Sequence, residues 1–448
     1  MAELGEALRL VEWTMLLQNP WVLLLGIVLV SIVAMSDFYR RFQRSISLAP
    51  RLDALEQLPA QLPAVSVIVP VYNEAVNIEA CLAAILANEW PSGSRLEVIV
   101  SDDESTDDTL QLAKRMAEKD DRVRVISAGR RPTEQVWRGK NWACDRAAEQ
   151  ATGDYLLFID ADVRLTERAI ARTVVNAQHY QADLLSCAPA IVCGCFSEWL
   201  VQPIMANLIA VGFDFEGVND PERPELALAA GPFMLFRRTA YDKIGGHRAV
   251  AADAVEDLAL AALIKGQGLK LRYVLGLEVA AVRMYRSLGD LWEGWTKNYH
   301  LGSGRNIALT AISAAAVSLI FVMPWVGLVA GLLGSVWQQF AIGGGWSEMA
   351  QKAVLGLGLT AVIAVLWQLY LRRAAARTIG QPARYLWLGW LGGLLVSAIA
   401  IASIVKTETG WGWTWRGRSL ASSGTSSGTD SSARVLGKEY LDGPEKKT

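Results

Sequence analysis

Four apolar runs long enough for a bilayer flank a polar-rich segment that has none, and this layout constrains the chain more than any other feature. Residues 21–35, extended by Met15, Leu16 and Leu17, form the first run; residues 307–337, 353–370 and 385–405 form the others. A helix crosses a hydrocarbon core of roughly 30 Å with about 20 apolar residues. One N-terminal and about three C-terminal transmembrane helices are therefore expected. A cleaved signal peptide would carry basic residues ahead of its apolar part, whereas Glu3 and Glu6 precede this one and Arg40, Arg41 and Arg44 follow it. That asymmetry puts the middle segment in the cytoplasm, and Arg372, Arg373, Arg377 and Arg384 put the turn between the last two runs there too. Four crossings leave the C-terminus outside beside Arg416 and Arg418, against the same rule. Pro324, inside the longest run, marks a kink or re-entrant segment that can change the count.

The expected organisation is a membrane anchor over 1–45, a catalytic domain over 61–300, a membrane region over 301–410 and a disordered polar tail over 420–448 rich in Ser, Gly and Thr. Between residues 64 and 277, short apolar stretches alternate with charged, helix-compatible ones. Strands are predicted at 65–69, 96–100, 123–126 and 155–159, and helices at 79–87, 106–119 and 141–150. This is an α/β pattern with a mostly parallel sheet, whose ligands bind at the carboxyl ends of the strands. The formal net charge of -2 and the absence of a dense basic tract exclude a nucleic-acid partner. Phosphate must be met locally. The five cysteines, Cys81, Cys144, Cys187, Cys193 and Cys195, are an odd, scattered set that suits reduced thiols in a cytoplasmic setting.

Acids stand where the apolar strands end. Leu156-Leu157-Phe158-Ile159 runs into Asp160-Ala161-Asp162. Residues two apart on an extended segment face the same way, so Asp160 and Asp162 can share a divalent cation, Mg2+ or Mn2+, with diphosphate oxygens. Val98-Ile99-Val100 runs through Ser101 into Asp102 and Asp103, whose carboxylates suit ribose or base N–H groups; Asp107 and Asp108 read as helix-capping acids. Pro70 is expected to end the first strand and to open a turn in which Asn73 and Glu74 offer polar handles. Arg138 and Lys140, before a helix, can reach diphosphate oxygens or form a solvated basic turn. Glu256 and Asp257 precede an alanine-rich helix; they either cap it or supply a general base, Asp257, with Glu256 as its neighbour. His247 is either a phosphate contact or a packed histidine. No GxGxxG fingerprint, phosphate-loop lysine motif or Ser/His/Asp arrangement is present.

In this order, Pro70 to Glu74, Asp102 to Thr109, Gly139-Lys140, Asp160 to Asp162, Gly231 to Phe233, Gly245-Gly246 and Glu256-Asp257 resemble the family 2 glycosyltransferases of the GT-A fold. The membrane layout and the ending Trp415-Arg416-Gly417-Arg418 are similar to hopanoid-associated and carotenoid glycosyltransferases. The stretches 283–286 and 291–298 look closest to cyanobacterial carotenoid 2'-O-glycosyltransferases. The resemblance implies an inverting, metal-dependent transfer of a single sugar from a nucleotide-sugar donor, UDP-sugars being the family default. The acceptor it implies is a membrane-embedded lipid alcohol, a hydroxylated carotenoid first and a polyprenyl phosphate, glycolipid or hopanoid otherwise. By the same likeness Asp102 holds the nucleoside, Asp160 and Asp162 the metal diphosphate, and Asp257 takes the acceptor proton, in a bacterial plasma or thylakoid membrane. Processive relatives carry QxxRW after the base; this chain has Glu293, Trp295 and Lys297 there, which disfavours polymer synthesis. Trp292, Trp295 and Lys297 form the expected acceptor region, and residues 196–215 either lie at the interface beneath it or pack in the core.

Overall fold

The computed structural model describes residues 19–340, 347–381, 383–415 and 418–419. Glu3, Glu6, Met15, Leu16, Leu17, Arg416 and the polar tail 420–448 lie outside the described residues. The chain divides into two compact units. One comprises Ser45–Glu198, Gly212–Ile307 and the residues from Ala402 onward; the other gathers the apolar helices with Trp199–Val211.

The first unit is an α/β layer structure around a seven-stranded sheet of order β3-β2-β1-β4-β8-β6-β9. Its strands are β1 (Val65–Val71), β2 (Leu96–Asp102), β3 (Val123–Ser127), β4 (Tyr155–Ile159), β6 (Leu184–Ala188), β8 (Phe233–Arg237) and β9 (Leu271–Leu275). β5 (Val163–Leu165), β7 (Ala190–Ile191) and β10 (Ala280–Val282) make a small second sheet. Within the seven-stranded sheet, among the described residues, only β8 runs against its neighbours, β4 and β6. The sheet is thus mostly parallel, as the alternation of elements predicts. β4 is buried along its whole length because Leu156, Leu157, Phe158 and Ile159 pack on both faces. Such a strand belongs at the centre of a covered sheet.

Direction sets the position of the chemistry. β1, β2 and β4 all end at one edge, and antiparallel β8 starts there, so Asp103, Asp160 and Gly231 come to a common crest. Pro70 does not end its strand: β1 continues to Val71, with Pro70 opposite Ser101. The pairing of β1 with β4 stops at Ile68, so a residue without an N–H costs no ladder bond on that side.

Among the described residues, four helices, lying mostly in the second unit, are apolar and long enough to cross a membrane: Pro20–Leu48, Ile307–Phe340, Glu348–Thr378 and Leu386–Thr409. The N-terminal one and the three C-terminal ones match the expected runs. Pro324 acts on the turn before it, where residues Ser318–Val322 widen into a π-helical turn. Gln368 Nε2 donates to the carbonyls of Ile320 (2.7 Å) and Phe321 (3.2 Å), and so gives a donor to the Ile320 oxygen that faces the missing Pro324 N–H.

Candidate active site

Helix Gly139–Gln150 begins directly under the crest and is sewn to the loop that carries the later acids. Asn141 Nδ2 donates to the carbonyls of Val250 (2.7 Å), Ala251 (3.2 Å) and Asp253 (3.0 Å). Arg138 adds its backbone N–H to Ala251 O (2.8 Å) and its Nε to Ala252 O (3.0 Å). These bonds fix Lys140 against the start of helix Glu256–Gly266. Its Nζ stands 2.7 Å from Asp160 Oδ1 and 2.8 Å from Glu256 Oε1. Asp257 is beside them: its Oδ2 accepts from Gly231 N–H and its Oδ1 from Leu258 N–H, both at 2.9 Å. A Cβ on residue 231 would come within 3.1 Å of Asp257 Oδ2, so glycine lets the β8 entry approach the carboxylate.

Lys140, Asp160, Gly231, Glu256 and Asp257 line one cleft of about 320 Å³. Of the residues singled out from the sequence, Pro70, Glu74, Asp103, Arg138, Lys140, Asp160, Asp162, Glu256, Asp257 and Lys297 line it. The others sit elsewhere. Asn73 adopts a left-handed φ of 54° and its Oδ1 accepts from Thr106 N–H at 2.8 Å, so it shapes the loop beside the cleft. Asp102 is the last residue of β2 and accepts from Ser105 N–H (3.2 Å); Asp103, next in sequence, lines the cleft in its place. On helix Leu288–Gly302, residues 295 and 297 point about 200° apart. Lys297 therefore faces the cleft while Trp295 is buried edge-on to Tyr285, and Trp292 does not line the cleft either. His247 is a packed histidine: fully buried, hydrogen-bonded through Nδ1 to Tyr241 Oη (2.8 Å), with burial pushing it down to about 3. Asn141 and Arg418, both cleft residues, were not assigned to the site from sequence. Asn141 is a neutral residue one place past a basic motif, and Arg418 lies more than a hundred residues beyond the other groups.

The charges are split. Burial opposes ionisation of Glu256, but Lys140 and Lys297 outweigh it and hold this carboxyl below its ordinary value. Burial, reinforced by the neighbouring Glu256 charge, pushes Asp257 up to about 6. Burial also works against the Lys140 cation, yet Asp160 and Glu256 raise its pKa well above the ordinary lysine value. One carboxylate is thus locked as an ion-pair partner, and the adjacent one titrates nearer neutrality, the condition under which a carboxylate exchanges protons effectively.

The family model for glycosyl transferase family 2 matches residues 66–245. A 4,4'-diaponeurosporenoate glycosyltransferase of Staphylococcus aureus is 30% identical over 274 residues, covering 60% of this chain and 68% of the relative. The chain belongs to glycosyl transferase family 2. Among solved structures, a mannosyltransferase of Pyrobaculum calidifontis in complex with GDP-Man and Mn2+ is similar to this glycosyltransferase at 20% identity and a TM-score of 0.44, covering 87% of this chain and 99% of that one. Staphylococcus aureus TarS in complex with UDP-GlcNAc is similar at 15% identity and a TM-score of 0.36, covering 78% and 92%. The unit that holds the cleft contains most of the residues matched by the family model.

Proposed function

We propose that this glycosyltransferase moves a single sugar from a nucleoside diphosphate sugar onto a carotenoid-type lipid held in a bacterial membrane. The observation that carries the transfer chemistry is the line Asp160, Lys140, Glu256 with Asp257 beside it at the sheet crest. In this reading Asp257 takes the proton of the acceptor hydroxyl as that oxygen bonds to the sugar C1 and the C1 to diphosphate bond breaks; attack from the face opposite the leaving group inverts the configuration. Lys140, held cationic, faces the diphosphate, and Glu256 fixes Lys140 in place. Asp103 takes the nucleoside end, with Glu74 and Pro70 on the same wall.

The donor set fits a divalent cation of the Mg2+ or Mn2+ kind. Asp160 and Asp162 offer hard oxygen ligands in the cleft, and among the described residues no cluster of three or more His, Cys, Asp or Glu makes a self-sufficient cage. One or two carboxylates completed by phosphate oxygens and water is the usual arrangement for such an ion. When bound, it neutralises the charge on the departing diphosphate.

The Staphylococcus aureus relative supports the polyene acceptor, and its name also favours a second reading in which the acceptor group is a carboxylate. A carboxylate has no proton to give up, so Asp257 would then position the acceptor only. The pigments of a host lacking the gene test the acceptor class. Loss of one glycosylated carotenoid, restored by an intact copy and not by one carrying Asp257→Ala, is the expected result. An unchanged pigment profile with a missing hopanoid or glycolipid would overturn the carotenoid reading.

The topology we propose rests on where the chain rejoins the unit that holds the cleft. It leaves that unit at Ile307 and re-enters it at Ala402, where Ser403 Oγ donates to Thr296 O (2.7 Å) and Arg305 Nε to Glu408 Oε1 (2.8 Å). Between these points it crosses the membrane an even number of times, so one of three apolar helices does not span. Helix Leu386–Thr409 begins beside Arg372, whose Nη1 donates to Leu386 O (2.6 Å), at the arginine-rich turn that belongs in the cytoplasm. We infer that this helix starts and ends on the cytoplasmic side. A reporter pair fused after Thr448 is expected to give a fluorescent protein signal and no alkaline phosphatase activity; phosphatase activity would contradict the assignment.

A further inference from the structure

The Trp415-Arg416-Gly417-Arg418 ending has no part in the chemistry above, yet it leads to the cleft. Beyond the last apolar helix the chain forms a short antiparallel pair, Thr414–Trp415 with Arg418–Ser419. Its start is pinned twice: Thr414 Oγ1 donates to Glu293 Oε1 (2.6 Å), and Arg138 lies 5.7 Å from the Trp413 ring centroid. Its second strand delivers Arg418 to the cleft wall. There Nη1 donates to Asp103 Oδ2, Nη2 donates to the Asp103 carbonyl at 2.9 Å, and the guanidinium carbon stands 3.5 Å from the centroid of the Tyr72 ring. The surroundings are shaped for this pair. A Cβ on Gly139 would collide with Asp103 Oδ2 and come within 3.0 Å of Arg418 Nη1.

Two features point to a ligand. A guanidinium held through its edge by a carboxylate and laid over an aromatic ring offers a flat, preorganised surface, the kind on which nucleobases stack. Beside it, Asp103 is 2% exposed and its Oδ1 has no hydrogen-bond partner among the described residues, with Arg131 Nε no closer than 3.7 Å. A buried carboxylate oxygen without a donor is costly and is normally matched by a partner. A base N–H or a ribose hydroxyl supplies that donor.

We propose that Arg418, with Tyr72 and Asp103, forms the nucleoside wall of the donor site, so that the segment after the last apolar helix completes a pocket begun by the α/β sheet. Arg418 stacks on the base, and Asp103 Oδ1 accepts from it or from the ribose. The proposal rests on the nucleotide-sugar reading given above.

Calorimetric titration of the full-length enzyme in nanodiscs with UDP and UMP, and in parallel with the guanosine, adenosine, cytidine and thymidine pairs, tests it. Arg418→Ala is expected to raise Kd for the diphosphate and the monophosphate of the preferred base by the same factor, about ten-fold. Arg418→Lys keeps the charge but not the plane, and is expected to lose affinity to a similar degree. Gly139→Ala, which displaces the pair through Asp103, should reproduce the loss with Arg418 still in the chain. Unchanged affinity in Arg418→Ala, full affinity in Arg418→Lys, or weakened UDP with unaltered UMP would each overturn the assignment. Should the parent enzyme bind no uridine, guanosine, adenosine, cytidine or thymidine diphosphate, the donor reading fails and this proposal with it; parent binding that survives Arg418→Ala overturns this proposal alone.

Discussion

Asp257→Asn is expected to lower kcat toward a hydroxylated carotenoid by roughly 10²- to 10⁴-fold, the range contributed by a positioned general base. Donor affinity should stay within about two-fold, because the substitution leaves Lys140, Asp160 and Glu256 in place. An amide oxygen can still accept from Gly231 N–H, now at 2.9 Å, so the β8 entry keeps its position while the proton acceptor is gone. The pH profile gives an independent readout. Burial and the Glu256 charge push Asp257 up to about 6, and only its ionised form accepts a proton, so the parent rate falls as pH drops through that value. The residual rate of Asp257→Asn should lack this acid limb. A variant that retains the parent rate would remove Asp257 as the base.

Asp160→Ala should have an effect of similar size by a different route. The side chain is both a candidate cation ligand and one of two carboxylates that hold Lys140. Its loss removes several kcal/mol of charge stabilisation on the leaving diphosphate, which corresponds to a fall of about 10²- to 10³-fold in kcat/KM. The same variant should need more Mn2+ for half-maximal rate, measured by titrating the metal at fixed donor. Parent activity without added Mg2+ or Mn2+ and in excess chelator, unaffected by Asp160→Ala, would show that the carboxylate serves neither purpose.

Much of the fold was legible because burial writes itself into local composition. Leu156 to Ile159, four apolar residues ahead of two acids, can only be a central strand that ends at a polar edge, and β4 is that strand. The same logic put Asp102, Asp103 and Asp160 at strand ends, but it could not tell that Asp103 lines the cleft and Asp102, expected to hold the nucleoside, does not. Contacts between distant segments were not legible. Nothing near Lys140 in the sequence points to Glu256, and nothing near Asp103 points to Arg418; both pairs exist because the sheet order and the return of the chain after residue 402 bring them together. Helical geometry also separated residues expected together in the acceptor region. Trp295 and Lys297 lie two residues apart, which on an extended segment means one face and on a helix means nearly opposite ones. The unexpected continuation of β1 through Pro70 has a comparable cause, since a missing N–H matters only where a neighbouring strand still asks for it.

The most direct measurement of the central claim is transfer by the purified full-length enzyme reconstituted in lipid vesicles that contain a hydroxylated carotenoid. UDP-glucose or another nucleotide sugar is supplied with Mn2+, and the pigment is read by mass spectrometry. Addition of one hexose to the carotenoid, dependent on the metal and absent with Asp257→Asn, is the expected result. Vesicles in which the carotenoid stays unmodified with every nucleotide sugar, while a lipid extract of the host is glycosylated under the same conditions, would contradict it.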